Sequence, residues 1–357
     1  MILKRKSLFT RTIPFVLLGL LAFVLYLVFF VNIGEMMFII GRANFPIYFL
    51  AVVSTVVDIV FFALAWHYFL KPLSAKVSFK KAFMYSWASI FVDLLVPAES
   101  VTGEISRIYF IAHDGVDTGK AVASIVTQRV LGMLIIISSL VVGVLQTLLL
   151  KISFPSLVQS LMFFVVAANA VFLFLILLLC FKQSWTYKLI EKLIAFAERI
   201  GHGRWNIEEW RDKARKAISA FHDSLKAFAS DPKKLILPVA FSIFSWFFSI
   251  LVYYLVFAAI GYTIDWYVLI IVYSLVIALK SIPVGVPAEM GVTEIAMTTL
   301  FGAFLGPQWL PISAAATVLI RIVTVWFRLV IGFGAIQWVG VKTLTESENL
   351  VEQKKEK

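Results

Sequence analysis

Six stretches of the 357-residue chain, 13–33, 45–70, 121–150, 156–181, 235–260 and 311–341, are apolar over lengths that dictate where the chain resides. Crossing about 30 Å of hydrocarbon takes roughly 20 residues of helix. All six meet that length, and a seventh, 266–282, is shorter but plausible. The fold class that follows is all-α: a polytopic membrane protein with about 7–8 transmembrane helices. Composition agrees, because 61% of residues are apolar and 15% charged, against about 45–50% and 25% in soluble domains. A soluble fold of this make-up would be coated in exposed hydrophobic surface. The chain reads as one integral membrane domain over 1–357, with a first half at about 12–181, a loop at 182–234, a second half at 235–341 and a short polar tail at 342–357.

The charges are lopsided, Lys+Arg 32 against Asp+Glu 21, for a net +11. Their placement explains them. Lys4, Arg5, Lys6 and Arg11 precede the first span, Lys71, Lys76, Lys80 and Lys81 fill the loop after the second, and the 182–234 loop carries twelve Lys or Arg against seven acids. The intervening loops 34–44, 151–155 and 261–265 are nearly bare. Cytoplasmic loops hold the Lys/Arg excess, so a multi-pass protein of the cell membrane with a cytoplasmic N-terminus is expected, provided 82–112 dips in and returns. If 283–305 crosses, the tail is inside; if it is re-entrant, the tail is outside. The N-terminal run is too long for a signal peptide and lacks a small-residue cleavage site, so it reads as a retained span. No aromatic-interleaved basic platform accompanies the charge, which argues against nucleic acid as a partner. A lone Cys180 excludes an internal disulfide, and no Cys/His spacing suits a metal. No cofactor is expected, and a Walker-type phosphate loop is missing.

Inside the 182–234 loop, Asn206 reads as an N-cap for a helix whose Trp210, Ala214, Ala217, Ile218, Phe221, Leu225 and Phe228 share one face. Such a helix either lies on the inner leaflet or packs against the cytoplasmic ends of the bundle.

Two apolar segments, 82–112 and 283–305, are broken by Pro, Gly and acids. The first contains Val96-Pro97-Ala98-Glu99, then Gly103-Glu104-Ile105-Ser106-Arg107. The second contains Val286-Pro287-Ala288-Glu289, then Gly291-Val292-Thr293-Glu294-Ile295. Six of ten positions match at a constant offset of 190. Each segment is followed by a helix with an intramembrane arginine, Arg129 and Arg321, which suggests an internal repeat. Transporters built from repeats place their sites at corresponding Pro/Gly-interrupted segments. Such breaks survive at membrane depth only where protein or a water-filled cavity satisfies the backbone, and charges there need a partner or water.

In the last span Ser313, Thr317, Arg321, Thr324 and Arg328 form a polar stripe at helical spacing. It lines a cavity or buries against Glu104, Glu289 or Glu294, while Arg328 can also snorkel to an interface. Gln128 and Arg129 sit about two turns into the 121–150 helix. Glu104 and Arg107 can alternatively be a local pair on one helical turn. Asp58 and Asp93 face the same cavity, pair with an arginine, or stay neutral. Lys280 and His67 lie near span ends, where snorkelling explains them.

The layout resembles the flippase-like membrane family that includes the transmembrane part of lysylphosphatidylglycerol synthase. The resemblance runs from about 12 to 340. It is carried by Pro97 through Gly103-Glu104-Ile105-Ser106-Arg107, by Arg129, by Pro283 to Gly291-Val292-Thr293-Glu294, and by Arg321, Trp326 and Gly332. Gln128 stands where the family often has an acid, and Ala288-Glu289 where it has paired glycines. No aminoacyltransferase domain follows Val341, so the resemblance implies translocation of a lipid or lipid-linked precursor rather than its synthesis, and no enzyme activity is expected. Arg107, Arg129 and Arg321 would hold a lipid phosphate, with Gln128, Thr317, Thr324, Glu99 and Glu289 beside them. Glu104 and Glu294 would orient the arginines or carry coupling protons, and Pro97, Gly103, Pro287 and Gly291 would shape the breaks. Expected partners are anionic or phosphate-bearing membrane lipids and a lipid- or glycan-synthesis enzyme. The rival readings are a small-solute or ion-coupled carrier, a membrane-embedded lipid-modifying enzyme, and a scaffold for a lipid or glycan synthase.

Overall fold

The structure, a computed structural model, describes residues 21–96, 101–151, 156–201, 207–280 and 286–340. Pro97, Glu99, Pro283, Asn206, the start of the first span and the 342–357 tail lie outside the described residues. Among the described residues the regular structure is helical throughout. Helix α1 (Leu21–Phe30) bends by 104° into α2 (Ile33–Gly41). Then come α3 (Phe45–Leu70), α4 (Phe79–Leu95), α5 (Val101–His113), α6 (Thr118–Leu149), α7 (Ser156–Phe181), α8 (Gln183–Gly201) and α9 (Ile207–Ser230). The chain continues with α10 (Ile236–Ala259), α11 (Trp266–Lys280), α12 (Val292–Leu305) and α13 (Leu310–Arg321). A π-helical turn (Ile322–Phe327) leads from α13 into a last helical stretch, 328–340.

Five helices are long and apolar enough to span: α3, α6, α7, α10, and α13 with its continuation. The bent α1–α2 pair makes a sixth if it counts as one span, and α11 is a shorter apolar helix. The all-α membrane fold is therefore as the sequence predicts. One loop is corrected. Residues 34–44 are not a bare connection, because Asn32 accepts from the Glu35 backbone N–H at 3.2 Å and so starts α2.

Local sequence sets most helix starts. Asn44, Ser78 and Asp117 cap α3, α4 and α6 by accepting from the amides of the first turn. The tightest pairing is α3 on α10, with Ser54 Oγ donating to the Phe248 carbonyl at 3.0 Å. The largest apolar cluster lies among α10 to α13, where Phe257 and Phe301 meet edge to face at 4.9 Å. α7 is the opposite case. Only 6% of its apolar window is buried within the protein, and Phe163, Phe164, Val171 and Phe174 point outward, so lipid is its main solvent.

Both broken segments fold as helix, break, helix, followed by a long span. α4 and α5 form an antiparallel hairpin: Asp93 bonds the start of α5 at one end, and Asp114 accepts from Tyr85 and pairs with Lys81 at the other. That is the shape of a segment that enters and returns. α11 and α12 also pack on each other. With 14 residues, α12 reaches about 21 Å, short of the hydrocarbon thickness. The helix α9 packs against α6, burying Ile218, Phe221 and Phe228. Bundle packing, and not a free position on the leaflet, accounts for its amphipathic face.

Candidate functional site

The hairpin α4–α5 builds one wall of a polar cavity. Asp93 of α4 accepts from Thr102 Oγ1 at 2.8 Å and from the Gly103 amide at 3.0 Å, anchoring the first turn of α5. Gly103 is needed for that contact, since a Cβ there would press on the Asp93 side chain and the Ser89 carbonyl at 3.1 Å. One turn further on, Glu104 and Arg107 are carried to a cavity of about 320 Å³. Besides these residues it is lined from α3 by Phe62, from α6 by Gln128, Arg129 and Gly132, from α7 by Asn169 and from α11 by Lys280.

Arg107 is the unusual member. It is 5% exposed, donates through Nη1 to Gln128 Oε1 at 2.8 Å, and sits with its guanidinium 4.9 Å and 5.1 Å from the Phe62 and Trp66 ring centroids. Its Nε has no partner, and among the described residues no carboxylate bonds to it. Cation–π contact contributes about 2 kcal/mol when desolvated, and Glu104 and Asp93 act on the charge through space without a hydrogen bond to it. The cavity thus holds a buried guanidinium whose Nε has no hydrogen-bond partner. Arg129 is differently placed: it pairs with Glu104 at 3.1 Å, and both side chains are 24% exposed. Lys280 pairs with Glu289 at 3.6 Å. It does not snorkel, and it links the second break to the cavity lined by the first.

The second copy of the carboxylate–arginine pair is sealed. Arg321 Nε donates to Glu294 Oε1 at 2.7 Å and Arg321 Nη2 to the Ala288 carbonyl at 2.5 Å, while Glu294 Oε2 accepts from the Gly291 amide at 2.7 Å. The two side chains are 5% and 8% exposed. Gly291, at φ +86°, supplies a backbone geometry closed to other residues, and Ala288 and Glu289 hold φ near +50°. Arg321 thus clamps a strained turn to α12. Pro287, the first residue of that turn, is buried.

A second cavity, of about 380 Å³, lies between α5, α6, α7 and the α8–α9 hairpin. Its lining is almost wholly apolar, including Val122, Val126, Phe172, Leu179, Ile190 and Phe221, yet it also contains Glu104 and Arg129. The two cavities meet at that ion pair. α6 serves both, with Val122, Val126 and Arg129 on one side and Gln128, Gly132 and Ile136 on the other.

Of the residues expected at a binding site, Glu104, Arg107, Gln128 and Arg129 come together here, with Gly103. Arg321, Glu294, Glu289, Thr317 and Thr324 are not in the lining of this cavity, so the three arginines do not converge on it. The polar stripe of the last span does not face one space. The π-turn after Arg321 breaks the 3.6-residue phase, so that Arg321 meets α12 while Arg328 Nη2 donates to Asp58 on α3 at 2.7 Å. Thr324 bonds the Ile320 carbonyl of its own helix. Asp58 also accepts from Ser245 at 2.6 Å. Lys280, read from the sequence as snorkelling, lines the cavity instead, and Asn169 was not singled out. The available signal for Lys280 was the run of acids that follows it in the break.

The Lysylphosphatidylglycerol synthase TM region family matches this chain over residues 16–332. Curated relatives are UPF0104 membrane proteins of archaea. The one from Pyrococcus horikoshii is 23% identical over 87% of this chain and 92% of its own length. That of Methanocaldococcus jannaschii is 21% identical over 88% and 91%, and that of Methanothermobacter thermautotrophicus 24% over 86% and 89%. No solved structure matches.

Proposed function

The chain belongs to the family of the Lysylphosphatidylglycerol synthase TM region, and from that premise we propose that it is a flippase-type transporter, moving an anionic, phosphate-bearing lipid or lipid-linked precursor between leaflets. One observation carries this reading: a guanidinium buried in apolar sequence, without a carboxylate partner, lining an open polar cavity. Arginine suits phosphate because its planar fork binds two oxygens and keeps its charge at any accessible pH. A phosphate drawn to Arg107 gains Arg129 and Lys280 as neighbours, and meets Glu104 and Asp93 as the groups that would release it.

The Glu104–Arg129 pair is suited to a gate, since both side chains keep partial exposure and a lipid phosphate can compete for the arginine. In this reading the lipid is carried unchanged, the protein sits in the cell membrane with its N-terminus in the cytoplasm, and any synthase that makes the lipid is a separate partner. The test is a leaflet-resolved lipid exchange assay in proteoliposomes. Wild-type protein should accelerate exchange of an anionic lipid, and Arg107→Gln should remove about tenfold or more of that rate, as expected for loss of a charged contact. Equal rates for the two, across several lipid classes, would overturn the proposal. Recovery of a chemically altered lipid would favour an enzyme instead.

A further inference from the structure

The apolar cavity under the α8–α9 hairpin is unexplained by a headgroup site alone. We propose that it seats one hydrocarbon chain of the same anionic amphiphile whose phosphate is held at Arg107, so that the ligand is bound with a chain inside the protein and not left wholly in the bilayer. This deepens the proposed function and rests on reading the polar cavity as a phosphate site.

Three observations converge on it. The cavities share Glu104 and Arg129, so a single molecule can occupy both by passing that pair. The apolar chamber, about 380 Å³, lies in the usual range of small-ligand sites, roughly 300–1,000 Å³, and the polar groups in its lining are few. Arg107, nine-tenths buried, with an Nε that has no hydrogen-bond partner and no carboxylate bonded to it among the described residues, lines the adjoining polar cavity. Free phosphate would satisfy Arg107 and leave the greasy chamber without a role. A neutral hydrocarbon would fill the chamber and leave Arg107 unpaired. An amphiphile with a phosphate head answers both, because chain burial contributes about 0.8 kcal/mol per CH₂ and the head supplies the missing charge.

The chain carries its own reporter. Cys180 is the single cysteine, it is partly exposed, and it lines the apolar cavity. The experiment measures the rate of Cys180 alkylation by N-ethylmaleimide on the full-length protein in neutral maltoside micelles, with dodecyl phosphate, dodecyltrimethylammonium or inorganic phosphate added. Dodecyl phosphate at about four times its Kd should slow alkylation about fivefold by occupancy alone, and the other two should leave the rate unchanged. Arg107→Gln should abolish that protection. Ile190→Trp, which fills the chamber from α8, should abolish it too, while an unchanged thermal melt of the unliganded variant shows that it is folded. Protection by the cationic amphiphile equal to that by dodecyl phosphate would overturn the proposal. So would dodecyl phosphate that slows lipid exchange in vesicles yet leaves Cys180 fully reactive; that outcome removes the chain site and keeps the phosphate site. Lipid exchange indifferent to both dodecyl phosphate and Arg107→Gln would instead remove the phosphate reading itself.

Discussion

Arg129 and Arg321 each pair with the glutamate of one of the two matched motifs, and burial separates their roles. Removing one partner of a buried ion pair strands the other charge, at a cost of about 3–5 kcal/mol. Arg321→Ala should therefore destabilise by that amount in a reversible unfolding titration in mixed micelles, and adding Glu294→Ala should recover part of the loss. Arg129→Ala breaks a pair that is only partly buried, so it should cost less than Arg321→Ala. A larger loss for Arg129→Ala than for Arg321→Ala would contradict this assignment. His222 offers a pH test outside the membrane. It is buried between α8 and α9, with Nε2 3.3 Å from Thr186 Oγ1, and burial lowers its pKa from the usual 6.5. Folding therefore favours the neutral ring, and the unfolded hairpin takes up the proton first as pH falls. Stability is constant well above that value and is lost as pH drops below it. Protection factors of the α8–α9 amides, taken against the intrinsic exchange rate at each pH, should fall below about pH 6.5, and His222→Gln should flatten that dependence.

Among elements, the long apolar runs were legible: the stretches read at 45–70, 121–150, 156–181 and 235–260 form α3, α6, α7 and α10 with ends within a few residues. The paired acids and arginines of the two breaks were legible as charges needing partners. Glu294 was legible among the partners for the stripe that holds Arg321, but the separate pairing of Arg328 with Asp58 was not, because the stripe assumes a regular helix and the π-turn at 322–327 changes its phase. α2 was missed for another reason: nine residues flanked by Asn read as a loop when the neighbouring spans set the scale. The junction of α6 with α9 yields a sharp prediction. At Gly119 a Cβ would meet the Ala220 Cβ at 2.6 Å and the Ala217 backbone. Gly119→Val should push α9 from α6 and raise protease sensitivity across the α8–α9 hairpin, with little change in α10–α13. At Gly291 the obstacle is conformational instead, so Gly291→Ala should cost about 1–3 kcal/mol, read by the same unfolding titration.

Over the whole molecule, the matched motifs at 96–105 and 286–295 are alike in sequence and unlike in their surroundings. Both halves carry a helix, a break, a short helix and a long span with a paired arginine. In the first copy the pair borders two cavities; in the second it is sealed around a strained turn. Lys280 joins them, since it lines the first cavity and pairs with Glu289 of the second break. Sequence comparison alone could not assign these roles, because the residues that decide them, Gln128 and Trp66 beside Arg107 and Ala288 beside Arg321, lie outside the matched acids and arginines.

α7 provides a wall of both cavities through Asn169 and Phe172, yet it is held mainly by lipid. A helix with so few protein contacts takes its tilt from the thickness of the bilayer around it, which makes cavity width a property of the membrane as well as of the chain. Reconstituted into bilayers of graded thickness, the protein should show a transport rate that peaks at one thickness and falls on either side. Its natural tuning knob would then be the composition of its host membrane, and a mutation in α7 that leaves every cavity residue in place would shift that optimum.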